Sequence, residues 1–212
     1  MKNPLFPQLA TYLKNIEASF AEIPEERREA LAEISEYLLA QAQKKQMANF
    51  IFICTHNSRR SHFSQVWASV AAYYYGFEGV ACYSGGTEAT AFNPRAVAAL
   101  ERAGLQVLAK EGSENPRYRL AMGKDAPTIT AFSKKYAEGG NPTKDFAAVM
   151  TCSQADEACP IVFGASKRIA LPYEDPKAAD GSPQESQVYD ERCRQIAVEI
   201  FYAFHLAAQK QK

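Results

Sequence analysis

An apolar run, Asn49-Phe50-Ile51-Phe52-Ile53, ends at Cys54; a polar stretch follows to Ser61, and apolar residues then recur at Phe63, Val66, Trp67, Val70, Ala71 and Tyr74. The first run has the length of a buried strand and the second set has helical spacing, so the chain passes from strand to helix through one polar loop. Units of this kind stack as parallel α/β layers, because the helix must carry the chain back before the next strand begins. The loop reads Cys54-Thr55-His56-Asn57-Ser58-Arg59-Arg60-Ser61. Its backbone N–H groups lead into a helix N-terminus, where the first donors have no intrahelical partner and the dipole favours an anion. Thr55, His56, Asn57, Ser58, Arg59, Arg60 and Ser61 are therefore the expected oxyanion cradle. The same field favours the thiolate of Cys54, and the thiolate is the nucleophilic form. Arg60 adds a planar fork suited to two oxygens of one anion, and the Ser61 hydroxyl can donate to the sulfur.

Downstream the pattern continues to alternate. Strands are expected at 49–54, 79–84, 105–108, 146–151 and 167–171, with helices at about 59–75, about 93–103 and about 183–208. This is a doubly wound α/β layout with a parallel sheet, which places a site beyond the carboxyl ends of the strands. Between 109 and 145 periodicity is poor and Pro116, Gly123, Pro127, Gly139, Gly140 and Pro142 interrupt it. A hairpin of Tyr118–Met122 against Ile129–Phe132 is expected inside a lid or mobile insertion. Arg117, Arg119, Lys134 and Lys135 read there as solvated charges. Residues 1–47 differ again, rich in Ala, Glu, Gln and Lys. Leu9, Tyr12, Leu13, Ile16 and Phe20 line one helical face, and Ala30, Leu31, Ile34, Tyr37, Leu38 and Ala42 line another. The expected organisation is an N-terminal helical hairpin extension (1–47), docked on a catalytic domain (48–212) or forming a homodimer contact.

Acidic and basic side chains balance at 24 each, so no global field attracts nucleic acid or an anionic membrane surface. Met1–Pro7 lacks the apolar segment of a signal peptide, no run of about 18 apolar residues occurs, and a cytoplasmic protein is expected. Five cysteines, an odd number, argue against a structural disulfide framework. Cys82 and Cys193 read as core thiols. The cysteines and the three histidines show no metal-ligand spacing, so neither metal nor cofactor is expected. Cys152 and Cys159 stand seven apart in Cys152-Ser153-Gln154-Ala155-Asp156-Glu157-Ala158-Cys159-Pro160. In a helix that spacing is about 10 Å of rise, beyond the Cα separation of about 7 Å that a disulfide tolerates. The pair can close only if the segment unwinds.

The Cys54–Ser61 loop resembles that of the low-molecular-weight protein tyrosine phosphatases and of the thioredoxin-coupled arsenate reductases that share their fold. Ser84-Gly85-Gly86-Thr87, Asn93-Pro94-Arg95-Ala96 and Glu174-Asp175-Pro176 extend the resemblance to about Cys193, roughly two-thirds of the chain. It implies a four-stranded parallel sheet, an enzyme with Cys54 as nucleophile, Arg60 on the anion, Asp175 before Pro176 as acid, and Ser84 in support. Cys152 and Cys159 match the redox segment of the reductases. The resemblance therefore implies a thioredoxin-coupled arsenate reductase in which Cys152 displaces arsenite from Cys54 and Cys159 then takes over the disulfide for reduction by thioredoxin. The alternative is a tyrosine or arginine phosphatase working through a Cys54-phosphate. This chain departs from the family at two loop positions. His56 stands where glycine is usual, for an expected strain of about 1 kcal/mol. Arg59 replaces a second cysteine and is expected to add charge near the anion.

Overall fold

A computed structural model describes residues 4–159 and 161–211; Met1–Asn3, Pro160 and Lys212 lie outside the described residues. The chain order is α1 (Pro7–Ala18), α2 (Glu25–Gln43), β1 (Ala48–Cys54), α3 (Arg60–Tyr75), β2 (Val80–Gly86), α4 (Pro94–Arg102), β3 (Gln106–Glu111), β4 (Arg117–Ala121), β5 (Ile129–Ala131), β6 (Phe146–Met150), α5 (Ser153–Ala158), β7 (Ala165–Ala170) and α6 (Glu185–Lys210). Short 3₁₀ turns occupy Phe20–Glu22 and Pro176–Ala179.

The main sheet has four strands in the order β2-β1-β6-β7, all parallel. β1 lies inside it, with Cys54 opposite Gly86 and Ile53 opposite Met150. Phe50, Ile51, Phe52 and Ile53 are all buried, as a continuous apolar run requires when both faces of a parallel sheet are covered. The two faces are covered unequally. Phe50, Phe52, Ala147 and Val149 share the large core with the long helices, whereas Ile51, Ile53, Ala148 and Met150 pack with Cys152, Ala155, Val162 and Tyr136. α3 ends where Gly76 adopts the left-handed conformation (φ 83°) and its N–H caps the Ala72 carbonyl, the usual glycine stop.

The expected strand at 105–108 does not join this sheet. As β3 it pairs antiparallel with β4, which pairs antiparallel with β5, in a separate three-stranded sheet. β3 alternates half-buried and exposed positions, which suits a one-sided antiparallel strand and not one covered on both faces. The expected hairpin at 118–132 is the β4–β5 pair.

The N-terminal hairpin docks on the same core. Leu9, Leu13 and Ile16 of α1 and Leu31, Ile34 and Leu38 of α2 are buried with residues of α3 and α6. Tyr12 stacks on Trp67 with ring centroids 5.4 Å apart. Arg27 makes two 2.7 Å bonds to the buried Glu199 carboxylate on α6.

Candidate active site

β1 delivers Cys54 to the carboxyl edge of the sheet, and the chain then wraps through Thr55–Arg59 into the first turn of α3. Arg59, the residue before α3, makes no side-chain cap. No backbone hydrogen bond is donated by His56, Asn57, Ser58 or Arg59 among the described residues, so these N–H groups remain open for an oxyanion. The loop is shaped by Asn57. Its φ is 44°, it is fully buried, its Nδ2 donates to Ser61 Oγ at 2.8 Å, and its Oδ1 accepts from the Lys134 N–H at 2.9 Å. Because Nδ2 occupies an acceptor site of Ser61 Oγ, the Ser61 hydrogen is free to point at Cys54 Sγ, 3.1 Å away.

Residue 56 does not take up the strain expected of it. The left-handed residue of the loop is Asn57, a type that tolerates that region, and His56 has an ordinary φ. The His56 carbonyl accepts from Thr90 Oγ1 and Ser133 Oγ, each at 3.1 Å, while its ring stands half-exposed with Nε2 3.7 Å from Glu88. Ser58 Oγ donates to the Ala91 carbonyl at 2.8 Å.

The floor of the loop is Gly86. A Cβ there would lie 2.7 Å from the Thr55 carbonyl oxygen and 2.8 Å from Asn57 N, so only glycine permits the approach. Gly86 also exchanges backbone bonds with Lys134 and Tyr136. Segment 132–137 thus buttresses the loop from behind. It does not line the cleft of about 760 Å³ at the mouth, which is formed by His56, Arg60 and residues of 153–154 and 172–178. Lys134 is buried, contrary to the solvated reading: its Nζ lies 4.4 Å from the Phe132 ring, and burial, then the Arg117 charge, lowers its pKa to about 8.

Arg60 is buried and pinned at two points. Nη1 donates to the Tyr173 carbonyl at 3.0 Å and Nη2 to Asp175 Oδ2 at 2.7 Å, while Nε is buried with no partner among the described residues. A buried guanidinium N–H left open is costly, and a bound oxyanion would satisfy it. Asp175 opens the 3₁₀ turn, its Oδ1 accepting from Lys177 N at 3.1 Å. Arg59 points elsewhere than expected. Its Nε donates to Tyr189 Oη at 2.7 Å and its Nη2 lies 3.5 Å from Asp180, so its hydrogen bonds go to the α6 side of the site, while Nε also lies 3.9 Å from Asp175 Oδ1. Ser84 reaches the loop only indirectly, through a 3.1 Å contact of its Oγ with Nδ1 of His62, which stacks on Phe92.

Cys152 comes next to the cradle. Thr151 is bonded to the Ile53 carbonyl through both N and Oγ1, and Cys152 Sγ lies 3.4 Å from Thr55 Oγ1 and accepts from Ala155 N. Cys152 caps the start of α5, and half-buried Cys159 follows its end. All five cysteines are free thiols. Burial pushes the Cys82 and Cys193 thiols up to about 12; Cys193 lies inside the core, while Cys82 is half-buried against its edge. Sequence reasoning passed over Tyr173, Asp180, Tyr189 and Ser133; only Gly86 carried a signal, in the Gly85-Gly86 pair.

Fold and site together define a parallel α/β domain with a cysteine at the head of a loop of open backbone N–H groups at a strand–helix junction. That architecture is the low-molecular-weight phosphatase fold. A low molecular weight phosphotyrosine phosphatase from Vibrio cholerae O395 aligns over 77% of this chain and 98% of its own, at 12% identity and a TM-score of 0.52. A YwlE mutant from Bacillus subtilis aligns over 78% and 99%, at 18% identity and a TM-score of 0.50. A thioredoxin-dependent arsenate reductase from Corynebacterium glutamicum aligns over 92% and 85%, at 19% identity and a TM-score of 0.41. The neighbours thus fall in the superfamily that the sequence resembles, and at these identities the likeness is one of fold. No family model and no curated protein matches the chain. Among the described residues no group of His, Cys, Asp or Glu is arranged to hold a metal, and no helix is long and apolar enough to cross a membrane.

Proposed function

We propose that the protein is an arsenate reductase acting through three cysteines, with thioredoxin as its reductant. The observation that carries this reading is the Cys152 thiol against Thr55, the residue that follows Cys54. Phosphoester hydrolysis needs no second thiol, whereas reduction of arsenate needs one within reach of Cys54. In the proposed sequence Cys54 thiolate attacks arsenate, forming an S–As bond as one oxygen leaves as water, with Asp175 supplying the proton. Cys152 thiolate then attacks Cys54 Sγ; an S–S bond forms, the S–As electron pair passes to arsenic, and As(V) leaves as arsenite. Cys159 attacks Cys152, releasing Cys54 as thiolate, and a dithiol of the reductant resolves the Cys152–Cys159 disulfide. The last exchange requires α5 to unwind, since its six residues hold the two sulfurs at opposite ends.

The test is a single-turnover trap. Cys159→Ser treated with one equivalent of arsenate should accumulate a Cys54–Cys152 disulfide, mapped by mass spectrometry after digestion, with one equivalent of arsenite released. Absence of that disulfide would overturn the reading. The alternative is a phosphatase acting on phosphotyrosine or phosphoarginine through a Cys54-phosphate. The placement of Asp175 beside Arg60 at the cleft favours it, because an acid there serves a leaving group of either kind. Under the alternative, Cys152→Ser and Cys159→Ser hydrolyse phosphate esters at wild-type rates and no disulfide forms.

A further inference from the structure

Arg59 is a buried cation of the Cys54–Ser61 loop whose side chain is partnered by Tyr189, Asp180 and, at 3.9 Å, Asp175. Its Nε donates to Tyr189 Oη at 2.7 Å, and Tyr189 Oη donates to Asp180 Oδ1 at 2.7 Å. Its Nη2 lies 3.5 Å from Asp180 Oδ2. Asp180 closes the 3₁₀ turn 176–179 that Asp175 opens. From the other side Arg95 lies 3.9 Å from Asp180 and pairs with Glu185 at 2.7 Å. Burial, then the bond to Asp180, raises the Tyr189 phenol to about 12, so it stays protonated and can both accept from Arg59 and donate to Asp180.

The two ends of the turn are therefore held differently. The far end is tied to Arg59 and α6 by groups that no substrate touches. The near end is held by the 2.7 Å Arg60–Asp175 bond, which competes with an oxyanion for the same guanidinium, and by the longer 3.9 Å approach of Arg59 Nε to Asp175 Oδ1, which does not. We propose that Arg59, through Tyr189 and Asp180, is a positioning residue for Asp175: it fixes the turn while Arg60 exchanges its carboxylate partner for the bound anion. Without it, an anion that captures Arg60 would release Asp175 together with its turn. With it, Asp175 is released from Arg60 but stays over the loop, where it can protonate a departing oxygen. The inference rests on the reading of Asp175 as the acid and is independent of the cysteine relay.

Leaving-group dependence tests it, because only a misplaced acid changes the ratio of two esters. Hydrolysis of p-nitrophenyl phosphate, whose leaving group needs little protonation, is compared with that of phenyl phosphate, using kcat/KM for wild type, Tyr189→Phe, Arg59→Lys and Asp175→Asn. Tyr189→Phe should lower phenyl phosphate turnover about tenfold more than p-nitrophenyl phosphate turnover, and Asp175→Asn should shift the ratio further in the same direction. Phosphate protection of Cys54 against iodoacetate should be unchanged in Tyr189→Phe, and the unfolding midpoint reports whether Arg59→Lys still folds. If Asp175→Asn shifts the ratio and Tyr189→Phe does not, the positioning role is refuted while the acid stands. If neither shifts it, or wild type hydrolyses neither ester, the acid reading fails and the positioning role fails with it.

Discussion

Arg27→Ala should destabilise the protein by about 4 kcal/mol at neutral pH and much less at pH 5. Arg27 on α2 meets Glu199 on α6 through two 2.7 Å bonds, and its Nη1 reaches the Pro172 carbonyl at 3.2 Å. The Glu199 side chain is only 3% exposed, and without Arg27 it keeps Gln195 Nε2 at 3.1 Å and the neighbouring buried Tyr173 hydroxyl, both neutral donors. A buried carboxylate stripped of its cation finds its cheapest relief by taking up a proton. From a free-glutamate reference near 4.3, that costs about 1.4 kcal/mol per pH unit, hence about 3.7 kcal/mol at pH 7 and about 1 kcal/mol at pH 5. This agrees with the range of about 3–5 kcal/mol for breaking a buried pair by deleting one partner. The sign follows from proton counts. In the variant the folded state binds the proton more tightly than the unfolded state, so its stability falls as pH rises from 5 to 7. Urea unfolding of wild type and variant at both pH values measures the difference. Arg27→Met combined with Glu199→Met removes both charges and should recover most of the loss. A loss below about 1 kcal/mol, or one equal at pH 5 and pH 7, would refute the reasoning.

Asn57→Ala should lose about 2–4 kcal/mol, combining a left-handed backbone that alanine tolerates less well than asparagine with the loss of two buried hydrogen bonds. Asn57→Gly should lose roughly half of that, since glycine accepts φ 44°, and equal losses by urea unfolding would contradict this account. Lys134, lowered to about 8 by burial and the Arg117 charge, should contribute a stability term that rises between pH 8 and about 10.4, where the unfolded chain holds the extra proton, against the opposite term of the buried Cys82 and Cys193 thiols. Lys134→Met should therefore be more stable than wild type by about 2 kcal/mol at pH 7, with the gap closing as pH rises to about 10; a difference in chemical unfolding that stays constant across this range would refute it.

What the sequence revealed and what it hid divide by range. β1, the loop and α3 were legible because their signals are local: an apolar run, then polar residues, then apolar residues at helical spacing. The left-handed residue is legible only in part: asparagine is a type that tolerates that conformation, but the resemblance directs the expected strain to His56. The placement of β3 was not legible, because a short strand after a helix looks the same whether it joins the parallel sheet or starts a separate one. The side-chain partners of Arg59 are illegible for a related reason. Its partner Tyr189 lies 130 residues away on α6, and nothing near Arg59 distinguishes a buried cation from one facing the anion. Lys134 followed suit, since only the fold puts Phe132, Arg117 and the back of the loop together. Cys152 was legible as one of a pair, but its place against Thr55 depends on β6 lying beside β1.

The central claim, that Cys54, Cys152 and Cys159 act in series on arsenate, is tested most directly by arsenate-dependent NADPH consumption in the presence of thioredoxin and thioredoxin reductase. Wild type should turn over many times, while Cys159→Ser should stop after one equivalent of arsenite. Sustained turnover by Cys159→Ser, or no arsenate-dependent consumption by wild type, would contradict it.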